Sequence, residues 1–269
     1  MDKLAQQYIS RHPADAARSI ARFTDAEKTQ LFGDIEAGTT AALLGHMPGA
    51  DAGYSLTLIP AADVIPVLMA MPSNLAAACL RRMPGNIRNG ILELARDEPG
   101  LRRVLGLLRF SVHDAGAIMD PDVLVPVSDQ TVGEVIELVK RHPDTLEEKL
   151  YVVDRSRQLA GVVISRELLL ADHLSGLHTL LHPCRYTIPA HAHLHSARDN
   201  PGWVDTDTLP VVDNHNLLLG VLSLVELDRR LGELGSNNPF NDQPGDILIG
   251  LAETFVNTCS EILFPGQKP

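Results

Sequence analysis

Aromatic residues are scarce in this chain: one Trp, four Tyr and six Phe make up 4% of 269 residues. Packing must therefore rest on Leu, Val, Ile, Ala and Met, and a hydrophobic content of 45% is enough for two ordinary domains. Cysteine is scarcer still. Cys79, Cys184 and Cys259 lie far apart and form neither a CxxC pair nor an even set. That excludes a disulfide framework and points to a reducing cytoplasm. No run of about 18 apolar residues occurs, so no segment is expected to span a bilayer. The opening "MDKLAQQYIS" carries Asp and Gln where a secretion signal would place a basic and then an apolar segment. GxSxG, the P-loop and GxGxxG are missing too, and no cysteine stands in a nucleophile context, so an enzyme is not expected.

Positive charge is missing from one half. Residues 1–110 hold 12 Lys/Arg against 11 Asp/Glu, whereas residues 111–269 hold 11 against 23, for a net charge of −11 overall. An acidic half disfavours nucleic acid, whose phosphates need Lys and Arg. It suits cations, although an acidic surface also simply keeps a protein soluble.

What is present is repetition. Met47-Pro48, Ile59-Pro60, Met71-Pro72 and Met83-Pro84 recur every twelve residues, and Phe23 and Ile35 extend the series backwards. A second series runs in phase: Ile20, Phe32, Leu44, Leu56, Leu68, Leu80 and Leu92. Proline suits the first helical position, because its missing N–H would be unpaired there anyway. Each repeat therefore reads as a turn, Pro, and a helix of about two turns, too short to be stable alone. Such helices must stack, each burying the recurring Leu and Met, which predicts a solenoid over about 1–112. Its end is basic, with seven arginines against three acids from Arg81 to Arg109, a face suited to docking on the acidic half.

A longer repeat follows. "LYVVDRSRQLAGVVISREL" at 150–168 recurs 59 residues later as "LPVVDNHNLLLGVLSLVEL" at 209–227. In each copy two short β-branched runs flank a polar turn, which predicts a hairpin. "SRELLLAD" (165–172) reads as a helix, and "TVGEVIELVKRH" (131–142) has helical spacing. Short strands are predicted at Val123–Val127 in the first copy and at "YTI" (186–188) in the second.

The phrases "LYVVD", "GVVISREL", "LPVVD" and "GVLSLVEL", with "AIMDPDVLVPV" at 117–127, resemble a tandem pair of CBS domains. With "HPADAARSI" (12–20) and "DQTVGEVIELVKRHPDTLEEKLYVVD" (129–154), the whole resembles the cytoplasmic region of MgtE-family magnesium transporters. The expected fold is α plus α/β: an N-terminal superhelix of short helices (1–112), CBS domain 1 (113–172) and CBS domain 2 (173–234). A linker and an amphipathic C-terminal helix (235–269) complete it. The family's membrane domain has no counterpart in this sequence, so the chain is not expected to conduct magnesium itself.

The resemblance implies two ligands, Mg2+ and an adenine nucleotide. In many CBS domains G-h-h-[ST]-x-x-D (h apolar) grips an adenosine ligand, the carboxylate accepting the ribose hydroxyl protons. The second copy keeps Gly220, Ser223 and an acid at Glu226, with Thr187 and the strand Leu209-Pro210-Val211 flanking the base. The first copy departs further: Ile164 occupies the hydroxyl position, Ser165 lies one place late and Glu167 replaces Asp. Ser223 and Glu226 also fit a helix capping box, which needs no ligand. Magnesium prefers oxygen ligands and keeps several waters. The resemblance implies cation bridges between stack and CBS pair, with Asp120, Asp122, Asp205, Asp207 and Asp213 as candidate ligands. Direct Arg–carboxylate pairs could replace them. Six of eleven histidines fall between His173 and His195; a transition-metal site in "HAHLH" competes with an ordinary loop.

The resemblance further implies a homodimer formed through the CBS pair and a protein partner such as a membrane transporter. The functional expectation is a non-enzymatic regulatory module, with a non-sensing interaction scaffold as the alternative.

Overall fold

The computed structural model describes residues 7–9, 11–143 and 147–236; the expected helix at 246–264 lies outside them. The chain up to Leu224 forms one compact unit, and Val225–Pro269 a second, of which the helix that begins at Leu224 is the described part.

From Pro13 on, the first half is a run of short helices: α1 (Pro13–Ile20), α2 (Asp25–Asp34), α3 (Ala37–Gly45), α4 (Gly49–Thr57), α5 (Ala61–Ala70), α6 (Ser73–Arg82), α7 (Gly85–Ala95) and α8 (Arg102–Leu107). The prolines stand one place earlier than the sequence suggested. Pro48, Pro60, Pro72 and Pro84 are N-caps, with φ between −52° and −55° and ψ between 136° and 139°. At that position the ring fixes an extended entry while the proline carbonyl accepts the first helical N–H, as in Ala52 to Pro48 (2.9 Å) and Ala76 to Pro72 (3.0 Å).

Helices two places apart pack on each other: α1 on α3, α3 on α5 and α5 on α7, with α4 on α6 and α6 on α8. The twelve-residue series supplies the contacts. Ile20, Phe32, Leu44, Leu56, Leu68 and Leu80 are buried, as are Met47, Ile59, Met71 and Met83. The series fails at its ends. Phe23 is exposed, and Leu92 is half-buried while its neighbour Ile91 takes the core position. End positions lack a neighbour on one side, so the repeat loses its constraint there.

The second half carries two sheets. Strands β1 (Lys149–Val153) and β2 (Leu159–Ile164) pair antiparallel; β3 (Ile188–Pro189), β4 (Thr208–Val212) and β5 (Leu218–Ser223) form a second sheet in the order β3-β4-β5. Both predicted hairpins are present with matching registers, and each bends after the same residue, Val152 and Val211. Both turns place one non-glycine residue at positive φ, Arg157 (66°) and Asn216 (60°). In each, the opening aspartate holds the turn: Asp154 accepts from the Ser156 N–H and Asp213 from the His215 N–H, both at 2.8 Å.

Helices α9 (Val132–Arg141) and α10 (Ser165–Leu170) complete the first copy and α11 (Leu194–Arg198) lies in the second; α12 (Leu224–Ser236) follows β5 in the chain. Thr131 and Glu134 close a capping box on α9. Val123–Val127 is not a strand. It makes a single bridge, Val127 to Val153, because prolines at 121 and 126 remove the donors a ladder needs.

Alternating residues of β1 face different cores, as a pleated strand requires. Leu150 and Val152 pack with Val132, Val135, Ile136 and Val139 of α9. Tyr151 and Val153 pack with Val212, Leu218 and Val221 of the other copy. The copies also exchange segments. Asp120 pairs with Val221 on β5, and His182 pairs with Val162 on β2. Thus the segment leading into each copy completes the sheet of the other.

Glycine makes this exchange feasible. A Cβ on Gly220 would lie 2.4 Å from the Asp120 carbonyl oxygen, and one on Gly161 would lie 2.6 Å from that of His182. Gly220→Ala and Gly161→Ala should each destabilise by about 1–3 kcal/mol through overpacking. Gly90→Ala in α7, where an added Cβ meets nothing, should instead stabilise by about 0.5–1 kcal/mol. Urea denaturation of the three variants checks the contrast.

Candidate functional site

A small cleft of about 130 Å3 opens between the two copies. Lys149 and Tyr151 on β1 form one wall, and Arg185, Tyr186, Asp205, Thr206 and Leu209 lie on the second copy's side. Tyr151 reaches the cleft because it points away from the α9 core, and its hydroxyl donates to the Thr208 carbonyl at 2.6 Å. Burial pushes that phenol up to about 12, so it remains a neutral donor at any physiological pH. Lys149 Nζ donates to the Asp205 carbonyl at 3.0 Å, which fixes a cation in the lining. Cys184 donates to the Tyr186 carbonyl at 3.4 Å, and burial raises its thiol above the ordinary range.

The residues named from sequence disperse. Leu209 lines the cleft. Val211 is fully buried, paired on one side with Ile188 and on the other with Gly220; Pro210 is buried beside it. The close approach at Gly220 is made by the protein's own Asp120. Thr187 is half-buried, its carbonyl accepting from Asn200 at 3.0 Å, and Ser223 ends β5, also half-buried. Glu226, in the first turn of α12, accepts from Arg229 Nε at 2.8 Å. In the first copy Ser165 gives its hydroxyl to the Glu147 carbonyl, and Glu167 holds His182 Nε2 at 2.6 Å.

Lys149, Tyr151, Arg185 and Tyr186 were not anticipated. The available signal was rarity: two of only four tyrosines, each beside a basic residue or one place removed from it. Position in a doubly used strand hid Tyr151, because its apolar neighbours made it read as core.

The candidate metal ligands separate as well. Asp122 is engaged by the helical stack. Its carboxylate accepts from the Ser73 N–H (2.8 Å), the Ser73 hydroxyl (3.1 Å) and Arg103 Nη1 (3.0 Å). Asp120 accepts from the Asp122 N–H at 2.8 Å, and burial holds its carboxyl above the usual carboxylate range. Arg81 adds a second tie, donating to the carbonyls of Ala117 (3.1 Å) and Phe110 (3.1 Å). Asp205 and Asp207 are exposed, while Asp213 is bound to its own turn. Among the described residues no three His, Cys, Asp or Glu side chains converge as a metal site.

"HAHLH" is a turn entering α11 rather than a strand, with His193 as the N-cap. His113 stacks on His193 (5.6 Å) and His193 on His195 (5.7 Å).

Comparison with known proteins settles the architecture. Residues 11–111 match the MgtE intracellular N domain, and residues 115–173 match the CBS domain. The helical stack thus matches one family model and the first CBS copy the other. The magnesium transporter MgtE of Thermus thermophilus is 27% identical over 123 residues, which cover 45% of this chain and 27% of that protein. The cytosolic domain of the Mg2+ channel MgtE, solved in complex with ATP, superposes with a TM-score of 0.72 at 20% identity, covering 83% of this chain and 92% of that one. The soluble part of a magnesium transporter gives 0.61 at 18%, covering 86% and 96%. The superhelix followed by a CBS pair, expected from sequence, is the observed fold. Among the described residues no helix is long and apolar enough to cross a membrane.

The MgtE N domain is thus tied to the CBS pair by direct bonds centred on Asp122. Asp122→Ala should cost about 1–3 kcal/mol, because it strands the Ser73 donors at the start of α6. Arg103→Ala should cost under about 1 kcal/mol, since 63% of that side chain is in water. Thermal unfolding followed by circular dichroism distinguishes the two.

Proposed function

We propose that this chain is a non-enzymatic regulatory module, related to the cytosolic part of MgtE, that binds an adenine nucleotide and thereby controls a partner such as a membrane transporter. The observation that carries the reading is the cleft between the copies. It offers an aromatic and apolar wall from Tyr151, Tyr186 and Leu209, two cations from Lys149 and Arg185, and a carboxylate at Asp205. Those are the three chemistries a nucleotide needs: a face for the base, charge for phosphate and an acceptor for ribose. The related MgtE domain solved with ATP supports it.

The cleft is smaller than the about 300–1,000 Å3 of most ligand pockets. A nucleotide would seat its base and lay its phosphates over the rim. Mg2+ then enters chiefly as the counter-ion of those phosphates, with exposed Asp205 and Asp207 the best placed of the five candidate acids. Asp122 is already occupied by Arg103 and Ser73, so the junction between stack and CBS pair closes by direct bonds. The domain division 1–112, 113–172 and 173–234 belongs to the same reading.

Calorimetric titration with ATP, ADP and AMP, with and without Mg2+, tests it. ATP should bind saturably, and Arg185→Ala should weaken it by about 1.5–3 kcal/mol, the range for a hydrogen bond to a charged group. Silence from all three nucleotides at millimolar concentration would leave the scaffold reading in its place.

A second copy of the chain is the proposed dimer partner. Leu169, Leu170 and Leu174 are 56%, 81% and 87% exposed, an apolar patch at the end of α10. Light scattering should report a dimer for the native chain and a monomer for Leu170→Asp.

A further inference from the structure

A separate cleft of about 470 Å3 lies where the helical stack meets the second CBS copy. It shares no lining residue with the cleft between the copies. Phe110, from just beyond α8, Met119 and Leu219 make it apolar, and its charged lining runs against the trend of the chain. Residues 111–269 hold twice as many acids as bases. Here, Arg103 and Arg109 from the stack face His191 and His215 from the second copy, with Asp213 the single acid.

That acid is turned inward. Asp213 Oδ1 accepts from the backbone N–H groups of His215 (2.8 Å) and Leu217 (2.9 Å), the bonds that hold the β4–β5 turn. Arg103 is committed to Asp122 at 3.0 Å, whereas Arg109 is exposed. His191 is positioned by two contacts: its ring lies 5.1 Å from that of Phe110, and its Nδ1 lies 3.4 Å from Asp114 Oδ2.

We propose that this cleft binds a small organic anion, with a planar apolar body against Phe110, Met119 and Leu219 and a phosphate or carboxylate held by Arg109 and His215. The volume lies within the range of small-molecule sites, and an apolar surface with a few converging polar groups is their usual form. Arginine and imidazole in one lining favour an anionic end. The walls come from both parts of the molecule, so an occupant contacts the stack and the second copy together. The effect on stability follows by mass action: a ligand of the folded chain alone raises its melting temperature.

The proposal is independent of the nucleotide reading, and its test keeps the two apart. The full chain is titrated with 1-naphthyl phosphate, with inorganic phosphate and 1-naphthol as the separate halves of the probe. The expected result is saturable binding of 1-naphthyl phosphate, weaker binding of either half, and a rise in melting temperature. Arg109→Ala and His215→Ala, both at exposed positions, should each reduce affinity about tenfold, the equivalent of one lost charged contact. Arg185→Ala should leave it unchanged. No saturation at millimolar probe, or unchanged affinity in both variants with native circular dichroism, overturns the proposal. Loss of binding in Arg185→Ala alone would place the probe in the other cleft and overturn it equally.

Discussion

Everything in the second half depends on one contact made twice: a backbone segment laid against a glycine in the partner copy. The Asp120 carbonyl approaches Gly220 and the His182 carbonyl approaches Gly161. Because the exchange is reciprocal, neither copy has a complete sheet without the other. It is tightened by the turns: the Leu159 N–H donates to the Asn216 carbonyl (2.9 Å), and the Leu218 N–H donates to the Arg157 carbonyl (3.2 Å). These bonds mirror each other at the 59-residue offset. The cleft between the copies exists because this symmetry brings β1 of one beside the entry segment of the other.

The fold was readable in sequence wherever burial repeats. The twelve-residue series specified the stack because its leucines are buried where helices two places apart pack together. The hairpins were readable because alternation and a polar turn fix register together. Less was visible upstream of the hairpins. There Asp120, Val127 and Thr131 correspond to His182, Pro189 and His193, 62 residues apart rather than 59. The second copy is three residues shorter in this stretch, and α11 is half the length of α9. The candidate site was harder still. A short motif names residue types, but their usefulness to a ligand depends on which strand edges are already paired, and Val211 and Gly220 are spent on the protein's own sheet. Tyr151 and Arg185 lie outside the motif and meet only through tertiary packing.

The junction between stack and CBS pair turns on one carboxylate. Asp122 serves a helix N-terminus, a serine hydroxyl and an arginine at once. The net energy resides mainly with Ser73, which is buried, and less with Arg103, which is in water. Arg81 extends the same seam through backbone carbonyls, whose acceptance does not depend on pH.

Packing between helices two places apart also sets an order of assembly. Contacts in the stack span only some two dozen residues, so they can form as soon as the second following helix exists. The exchange in the CBS pair joins Asp120 to Val221, a closure that must wait for nearly the whole described chain. During synthesis the stack therefore folds first, and the first CBS copy remains an unfinished sheet, its β2 edge open until His182 arrives and its own entry segment unpaired until β5 does. The glycines at 161 and 220 thus matter late in folding: the crowding from a side chain at either is met only when the exchange closes, after the early helices have packed.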